Sequence, residues 1–282
     1  RPGGVEVHHG SVDQVSFDPW WLAYPLLGAF AGFIAGLFGV GGGLTLVPIL
    51  FMLYSAQQFP PEHVMHLALG TSMATIVVTS VSSMRAHHGH GAVRWEIVRA
   101  MAPGLVLGTL GGSLFASLVP TRPLAFAFTA IVYYASLQMV LDFKPKPTRA
   151  LPRAAWMFLV GTVIGIVSSL VAAGGGFLSI PYMVWHNVPI HHAVGTSAAL
   201  GFPIAVAGTI GYIAAGWKAA GLPAGSLGYI YLPAFVGVSA MTMLIAPLGA
   251  KTAHRLPVKQ LKRAFGVFLA LLATKMLHSL LT

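Results

Sequence analysis

The sequence predicts an all-α protein: a polytopic transmembrane helical bundle of two inverted-topology repeats, each with a glycine-broken or re-entrant helix pair plus three spanning helices. Three observations predict it: a composition too apolar for a water-exposed surface, apolar runs of spanning length, and an internal duplication whose halves face opposite ways.

Hydrophobic residues fill 56% of the 282 positions and charged residues only 8%, with a mean hydropathy of +0.79. A soluble chain carries about a quarter of its residues as Asp, Glu, Lys or Arg. So few charges cannot cover a globular surface, so most of the exterior faces lipid. In lipid every backbone group must be paired internally, which leaves helices or a closed barrel. The longer runs extend over about 17 to 25 residues and do not alternate in ten-residue segments, which selects helices.

Ten apolar segments follow in order. Asp18-Pro19 caps the first, 21–38, as an N-cap with Pro at the next position. Trp20, Trp21 and Tyr24 suit the membrane interface. The second segment, 44–54, follows three glycines and is short. Segments 65–84, 99–118 and 123–141 complete the first half. The second half repeats the plan: 154–172, a short segment 177–185 after three more glycines, then 190–215, 228–248 and 263–281. Residues 1–17 read as a flexible tail, 18–142 as the first repeat, 143–153 as a basic cytoplasmic linker and 154–282 as the second repeat.

The duplication is explicit. GLFGVGGGLTLVPIL from Gly36 matches SLVAAGGGFLSIPYM from Ser169, each with four residues between the last glycine and Pro48 or Pro181. HLALGTSMA from His66 matches HHAVGTSAA from His191. Lys and Arg concentrate in three connections, 85–99, 143–153 and 251–263, which the positive-inside rule places in the cytoplasm. Tracing the segments from there puts both termini outside, 54–63 outside and the matching connection 186–192 inside. The repeats therefore run in opposite senses, a mark of secondary transporters that bind substrate near the midplane.

The net charge of +10 would suggest nucleic acid in a soluble chain, but here it is explained by membrane orientation. Cysteine is absent, so disulfides and thiolate metal sites are excluded, and no cofactor is implied. The six acids, Glu6, Asp13, Asp18, Glu62, Glu96 and Asp142, fall in the tail, in connections or at segment ends. Cation pumps and proton relays place carboxylates inside the bundle; an interior without them favours an anion.

A short helix starting after three glycines begins near the midplane, with free N–H groups and about half a positive charge at that end. Gly41, Gly42, Gly43 and Gly174, Gly175, Gly176 are therefore the expected anion cradles. The competing reading is close helix packing, which does not require three consecutive glycines twice. Thr71, Ser72, Thr196 and Ser197 are the expected hydroxyl donors, against a role in bonding their own backbone. His66 and His191 are either proton carriers or interfacial residues. His87, His88 and His90 have metal-ligand spacing, but they lie in a basic connection and read as a solvated connector. No metal site is expected.

The paired triple glycines with their downstream prolines, together with the paired Gly-Thr-Ser triplets, resemble the TauE/SafE sulfite exporter family over residues 22–281. The resemblance implies a cell (inner) membrane permease, not an enzyme, exporting sulfite or an organosulfonate by alternating access. One departure is that Ala172 and Ala173 stand where the first half has Gly39 and Val40, so the cradles need not be equivalent. The expected partners are a small anionic substrate and the bilayer, with no nucleic acid. A homo-oligomer is compatible with the sequence. The alternatives are a passive anion channel, a permease for another sulfur compound or organic acid, and a membrane-embedded metalloenzyme using the loop histidines.

Overall fold

The computed structural model describes residues 20–38, 42–141, 150–253 and 258–281. Gly41, the tail 1–17 and most of the basic linker lie outside the described residues. The described residues form ten helices: α1 Trp20–Phe38, α2 Gly43–Ala56, α3 Val64–Gly89, α4 Trp95–Leu118, α5 Thr121–Val140, α6 Ala154–Val171, α7 Gly176–Trp185, α8 Ile190–Gly216, α9 Leu232–Ala253 and α10 Val258–Leu281. A two-residue hairpin, β1 Ser226–Leu227 and β2 Ile230–Tyr231, precedes α9. Seven of these helices contain stretches long and apolar enough to cross a membrane, whereas the described parts of α1, α2 and α7 do not.

The short helices return to the side they came from. The Tyr24 hydroxyl, near the start of α1, donates to Gln57 Oε1 at the end of α2 at 2.9 Å. This contact makes α1 and α2 a hairpin with the glycines at its tip. At 14 residues, α2 rises about 21 Å, and the 10 residues of α7 rise about 15 Å, against a hydrocarbon core of about 30 Å. Gly42 (φ 73°) and Gly175 (φ 76°) cap these helices in the left-handed region, which a side chain rarely adopts. Ala172, closing α6, holds φ 45° without being glycine.

Small residues set the long-range packing. An added Cβ at Gly28 would come within 2.5 Å of Val238 O, and Gly32 sits against Thr242, so α1 runs parallel to α9. The same arrangement recurs between α4 and α6: Gly104 meets Phe158, Gly108 meets Thr162, and a Cβ at Gly165 would lie 2.5 Å from Leu105 O. Backbones that touch gain dispersion contacts which lipid cannot supply. Between them α3 and α8 cross antiparallel, Met73 packing on Gly208 and Ser80 on Gly201. Finally α5 and α10 pair antiparallel, with Ser136 Oγ donating to Gly266 O at 2.7 Å and Arg122 to Leu280 O at 2.8 Å.

These contacts fix the two ends of the bundle. The start of α1, the 57–63 connection, the end of α4, the hairpin and the end of α10 share one end. The 90–94 connection shares the other with the start of α8, through Ala92 against Gly195. The start of α6 and the ends of α5 and α9 lie at that second, basic end. Several boundaries differ from expectation: α3 continues to Gly89, which puts His87 and His88 on the helix and not in a connection, α9 continues to Ala253 and α10 starts at Val258. Helix α4 begins at Trp95, not near Arg99, because Glu96 in its first turn complements the helix dipole. Residues 228–231 form a turn and strand, because Gly225 (φ 83°) and Gly228 (φ 55°) reverse the chain before α9.

Candidate functional site

Both glycine tips lie at mid-height. Gly43 abuts Ile76, midway along α3, and Gly174 lies beside Gly201, near the middle of α8. They differ in what lies in front of them. The Ala172 carbonyl oxygen stands where a Cβ of Gly43 would project, so the first tip faces the negative end of a peptide dipole. The second tip opens into a cavity of about 330 Å³. Its floor is Gly174, Gly176, Ser197 and Gly201; its walls are Thr79, Ser80 and Ser83 of α3 and Thr242 and Met243 of α9; and its mouth is Ala86, His87 and Pro247. The mouth therefore lies at the basic end of the bundle.

The chemistry of the floor follows from unused donors. The first accepted bonds of α7 run from Leu178 and Ser179 N–H to Gly175 O, at 3.1 and 2.8 Å. Among the described residues the N–H groups of Gly174, Gly175, Gly176 and Phe177 have no protein acceptor. These are the orphan donors of a helix start, held here at the midplane. Ser197 Oγ accepts from Ser179 Oγ at 2.9 Å, which leaves its own proton free to donate. A Cβ at Gly176 would sit 3.3 Å from that oxygen, and one at Gly175 3.7 Å from Ser168 Oγ, which is buried without a partner. By contrast, Thr79 and Ser80 donate back to Ile76 O and Val77 O on their own helix and offer the cavity only acceptor lone pairs. Among the described residues no carboxylate lines the cavity.

The Gly-Thr-Ser triplets divide their labour. Thr71 Oγ1 accepts from the Tyr231 N–H at 3.0 Å and from the Tyr54 hydroxyl at 3.3 Å. Thr196 Oγ1 accepts from the Arg94 N–H at 2.9 Å. Neither threonine lines the cavity. Of the serines, Ser197 lines it, while Ser72 is buried with its Oγ unpartnered. His66 Nε2–H is shared between Ala116 O and Val119 O, both at 3.1 Å, and so ties α3 to the end of α4. His191 is exposed and its ring lies tilted against that of His192, 4.2 Å between ring centroids. Both histidines sit outside the cavity.

Beyond the midplane the opposite end is shut by rings. Phe59 stacks on Tyr54 at 5.0 Å and meets Tyr231 edge-on at 5.1 Å; Tyr24 meets Tyr231 at 6.0 Å. Beside them Tyr229 stacks on His66 at 5.0 Å, and burial pushes its phenol above the ordinary value. The sequence did not reveal that these rings close one end together, or that His87, read there as part of a solvated connector, joins Thr79 and Ser83 in a stripe on α3 that lines the cavity. The stripe was legible as i, i+4, i+8 spacing, but nothing in the sequence marks which face of an all-apolar helix meets a cavity.

A polytopic helical bundle with re-entrant glycine tips and a one-sided cavity at mid-height is the architecture of a membrane transporter. The comparisons give the same class: the chain matches the family model "Sulfite exporter TauE/SafE" over residues 24–276. It is 38% identical to a probable membrane transporter protein of Haemophilus influenzae, over 89% of this chain and 96% of that one. It is 26% identical to the probable membrane transporter protein YdhB of Bacillus subtilis, over 83% and 90%, and 24% identical to another of Methanocaldococcus jannaschii, over 91% and 96%. The chain belongs to the TauE/SafE family and is a multi-pass membrane transporter. No solved structure matches it significantly.

Proposed function

We propose that this transporter exports a small anion, sulfite or a short organosulfonate, across the cell inner membrane by alternating access around the tip of α7. The carrying observation is the pair of free amides at Gly174 and Gly176, flanked in the chain by those of Gly175 and Phe177, at the floor of a cavity that no carboxylate lines among the described residues. Oriented N–H dipoles in a low dielectric bind an anion without a fixed positive charge. Ser197 adds a hydroxyl donor. The resemblance in the matched family's description supplies the sulfur; the physics supplies the negative charge.

Two inverted repeats, 18–142 and 154–282 joined by the linker 143–153, account for the matched contacts. Helix α1 pairs with α9 as α6 pairs with α4, and Thr71 holds Tyr231 as Thr196 holds Arg94. With the basic end in the cytoplasm, both termini are outside, the cavity faces inward and the rings close the outer side. In the opposite state Gly41, Gly42, Gly43 and Ser72 form the floor, once the Ala172 carbonyl withdraws. Each negative charge leaving a cell gains about 2.3 kcal/mol per 100 mV, so uniport suffices for export. His66 and His191, outside the cavity, are then not needed to carry a proton.

The test is flux in reconstituted vesicles with a panel of sulfite, isethionate, taurine, thiosulfate and lactate. Sulfite or isethionate uptake that saturates, shows counterflow and is lost in Ser197→Ala is the expected result. Losing a donor to a charged acceptor costs about 1.5–3 kcal/mol, roughly a 10- to 100-fold weaker affinity. A panel with no transported anion overturns the proposal, and flux without counterflow converts it to a channel.

A further inference from the structure

We infer that His87 is an anion-binding residue at the inner mouth of the cavity, and that its protonation sets how strongly the cavity takes up an anion from the basic face. The inference rests on the transport reading above. The run Ala86-His87-His88-Gly89-His90 looks like one cluster in the sequence, and the structure takes it apart. The indole N–H of Trp95 donates to His88 Nδ1 at 3.2 Å. A ring nitrogen of His90 lies 2.7 Å from Ala86 O. His87 is half-buried, lines the cavity, and its imidazole has no hydrogen-bond partner among the described residues.

His87 is also the one titratable side chain among the described lining residues. From the packed elements the cavity receives Ala35 of α1, Gly174 and Gly176 before and at the start of α7, Ser197, Ala198 and Gly201 of α8, and Thr242, Met243, Ala246 and Pro247 of α9. None of these ionises. On its own helix the charged or titratable neighbours are Arg85, His88 and His90. Across the connection Glu96 is engaged by Arg94 at 3.5 Å. An imidazolium at the mouth therefore meets an incoming anion with little competition. Below it Ser83 and Thr79 continue one helical stripe down to Ile76, level with Gly174. An anion captured at His87 descends this stripe to the α7 amides.

The other half shows what closure does at this position. His87 follows Gly70 by 17 residues (87 − 70), as Tyr212 follows Gly195 (212 − 195). Tyr212 is fully buried and donates to Ser169 O at 2.9 Å, a neutral group under a closed end. Closing the mouth over His87 in the same way buries an imidazolium, which is costly alone and offset when an anion lies beside it. An imidazole, whose charge follows small changes in its surroundings, is suited to that task.

The test uses isethionate, whose sulfonate stays ionised, so that pH acts on the protein alone. In vesicles with the basic face accessible, the wild-type half-saturation concentration should rise roughly two- to fivefold between about pH 6 and about pH 8, the range for a half-exposed charge pair. His87→Gln should be weak and flat across that range, and His87→Arg should stay tight throughout. A second measurement reads binding without transport in this Cys-free chain. Isethionate should slow methanethiosulfonate labelling of Ser83→Cys, and adding His87→Gln should remove that protection. Unchanged half-saturation, pH slope and protection in His87→Gln overturn the inference while leaving the transport reading intact. Wild-type protein that neither moves nor is protected by isethionate or sulfite overturns both.

Discussion

Thr71 and Tyr231, 160 residues apart, are joined by a 3.0 Å hydrogen bond from the tyrosine backbone N–H to the threonine hydroxyl oxygen. Its counterpart joins Arg94 to Thr196 at 2.9 Å. In each case the preceding glycine takes the chain two residues upstream of the donor: Gly70 lies under Tyr229, and a Cβ at Gly195 would approach Ala92 to 2.7 Å. A buried N–H at the start of a helix needs an acceptor. Each triplet supplies one at the start of the fourth helix of the other half. The glycine and threonine thus fasten the halves together, and the serine is left for the space between them.

Thr71→Val keeps shape and removes the acceptor from both Tyr231 N–H and the Tyr54 hydroxyl. Leaving a buried donor unsatisfied costs about 1–3 kcal/mol. The expected result is a lower midpoint of thermal unfolding in detergent, with Thr71→Ser close to wild type. Thr196→Val should behave alike through Arg94. Unchanged midpoints in both valine variants would show that water replaces the lost acceptor.

The two glycine tips should respond differently to the same added methyl group. At Gly43 the Ala172 carbonyl occupies the Cβ position, so Gly43→Ala forces the backbone apart, at a cost of about 1–3 kcal/mol or more. At Gly174 the nearest atoms to a new Cβ are Gly201 Cα at 3.7 Å and Ile76 Cγ2 at 3.9 Å, ordinary contacts. Gly174→Ala should fold like wild type and lose transport because the methyl group enters the cavity floor. Measuring thermal midpoint and flux on both variants separates the effects. A stable Gly43→Ala with full flux, or an unaffected Gly174→Ala, contradicts this division.

What was legible in the sequence is what the backbone itself demands. Three consecutive glycines before a short apolar run announce a left-handed cap and a helix start, and Gly42 and Gly175 adopt that conformation. The duplicated Gly-Thr-Ser was legible as a repeat, but its roles were not. A threonine hydroxyl beside a cavity and one beside a neighbour's N–H look alike until the α8 and α3 crossings are known. The inequality of the tips was hinted at by Ala172 replacing the glycine of the other half; only coordinates place its carbonyl on Gly43. His87 read as part of a solvated connector, and its place at the cavity was hidden because α3 is apolar on both its lipid and protein faces, so periodicity carries no direction.

Orientation is open to cysteine labelling, since the chain has no Cys. Gln58 is exposed at the end that holds the rings, and Gln260 is exposed at the basic end. In intact cells an impermeant thiol reagent should label Gln58→Cys and leave Gln260→Cys unmodified until the membrane is permeabilised. Ser83→Cys, inside the cavity, should follow Gln260→Cys. The reverse pattern would place the cavity mouth outside and overturn the assignment of the basic end to the cytoplasm.

The ring cluster makes the sharpest prediction about how the two ends are kept apart. Phe59 touches both Tyr54 and Tyr231 within 5.1 Å, centroid to centroid, and lies in the connection between α2 and α3 while its neighbours belong to α2 and β2. Each well-oriented aromatic pair contributes about 0.5–1.5 kcal/mol beyond its buried area, so one substitution at Phe59 weakens two contacts at once. In Phe59→Ala the ring-closed end loses the ring joining α2 to β2, and under the proposed alternating access the balance between the two open states shifts. A cysteine at Ser72, buried beneath the rings, should then become reactive from outside in Phe59→Ala and stay protected in the parent. If Ser72→Cys remains unreactive, the closure at that end is held by the Thr71–Tyr231 fastening, and combining Phe59→Ala with Thr71→Val should release it.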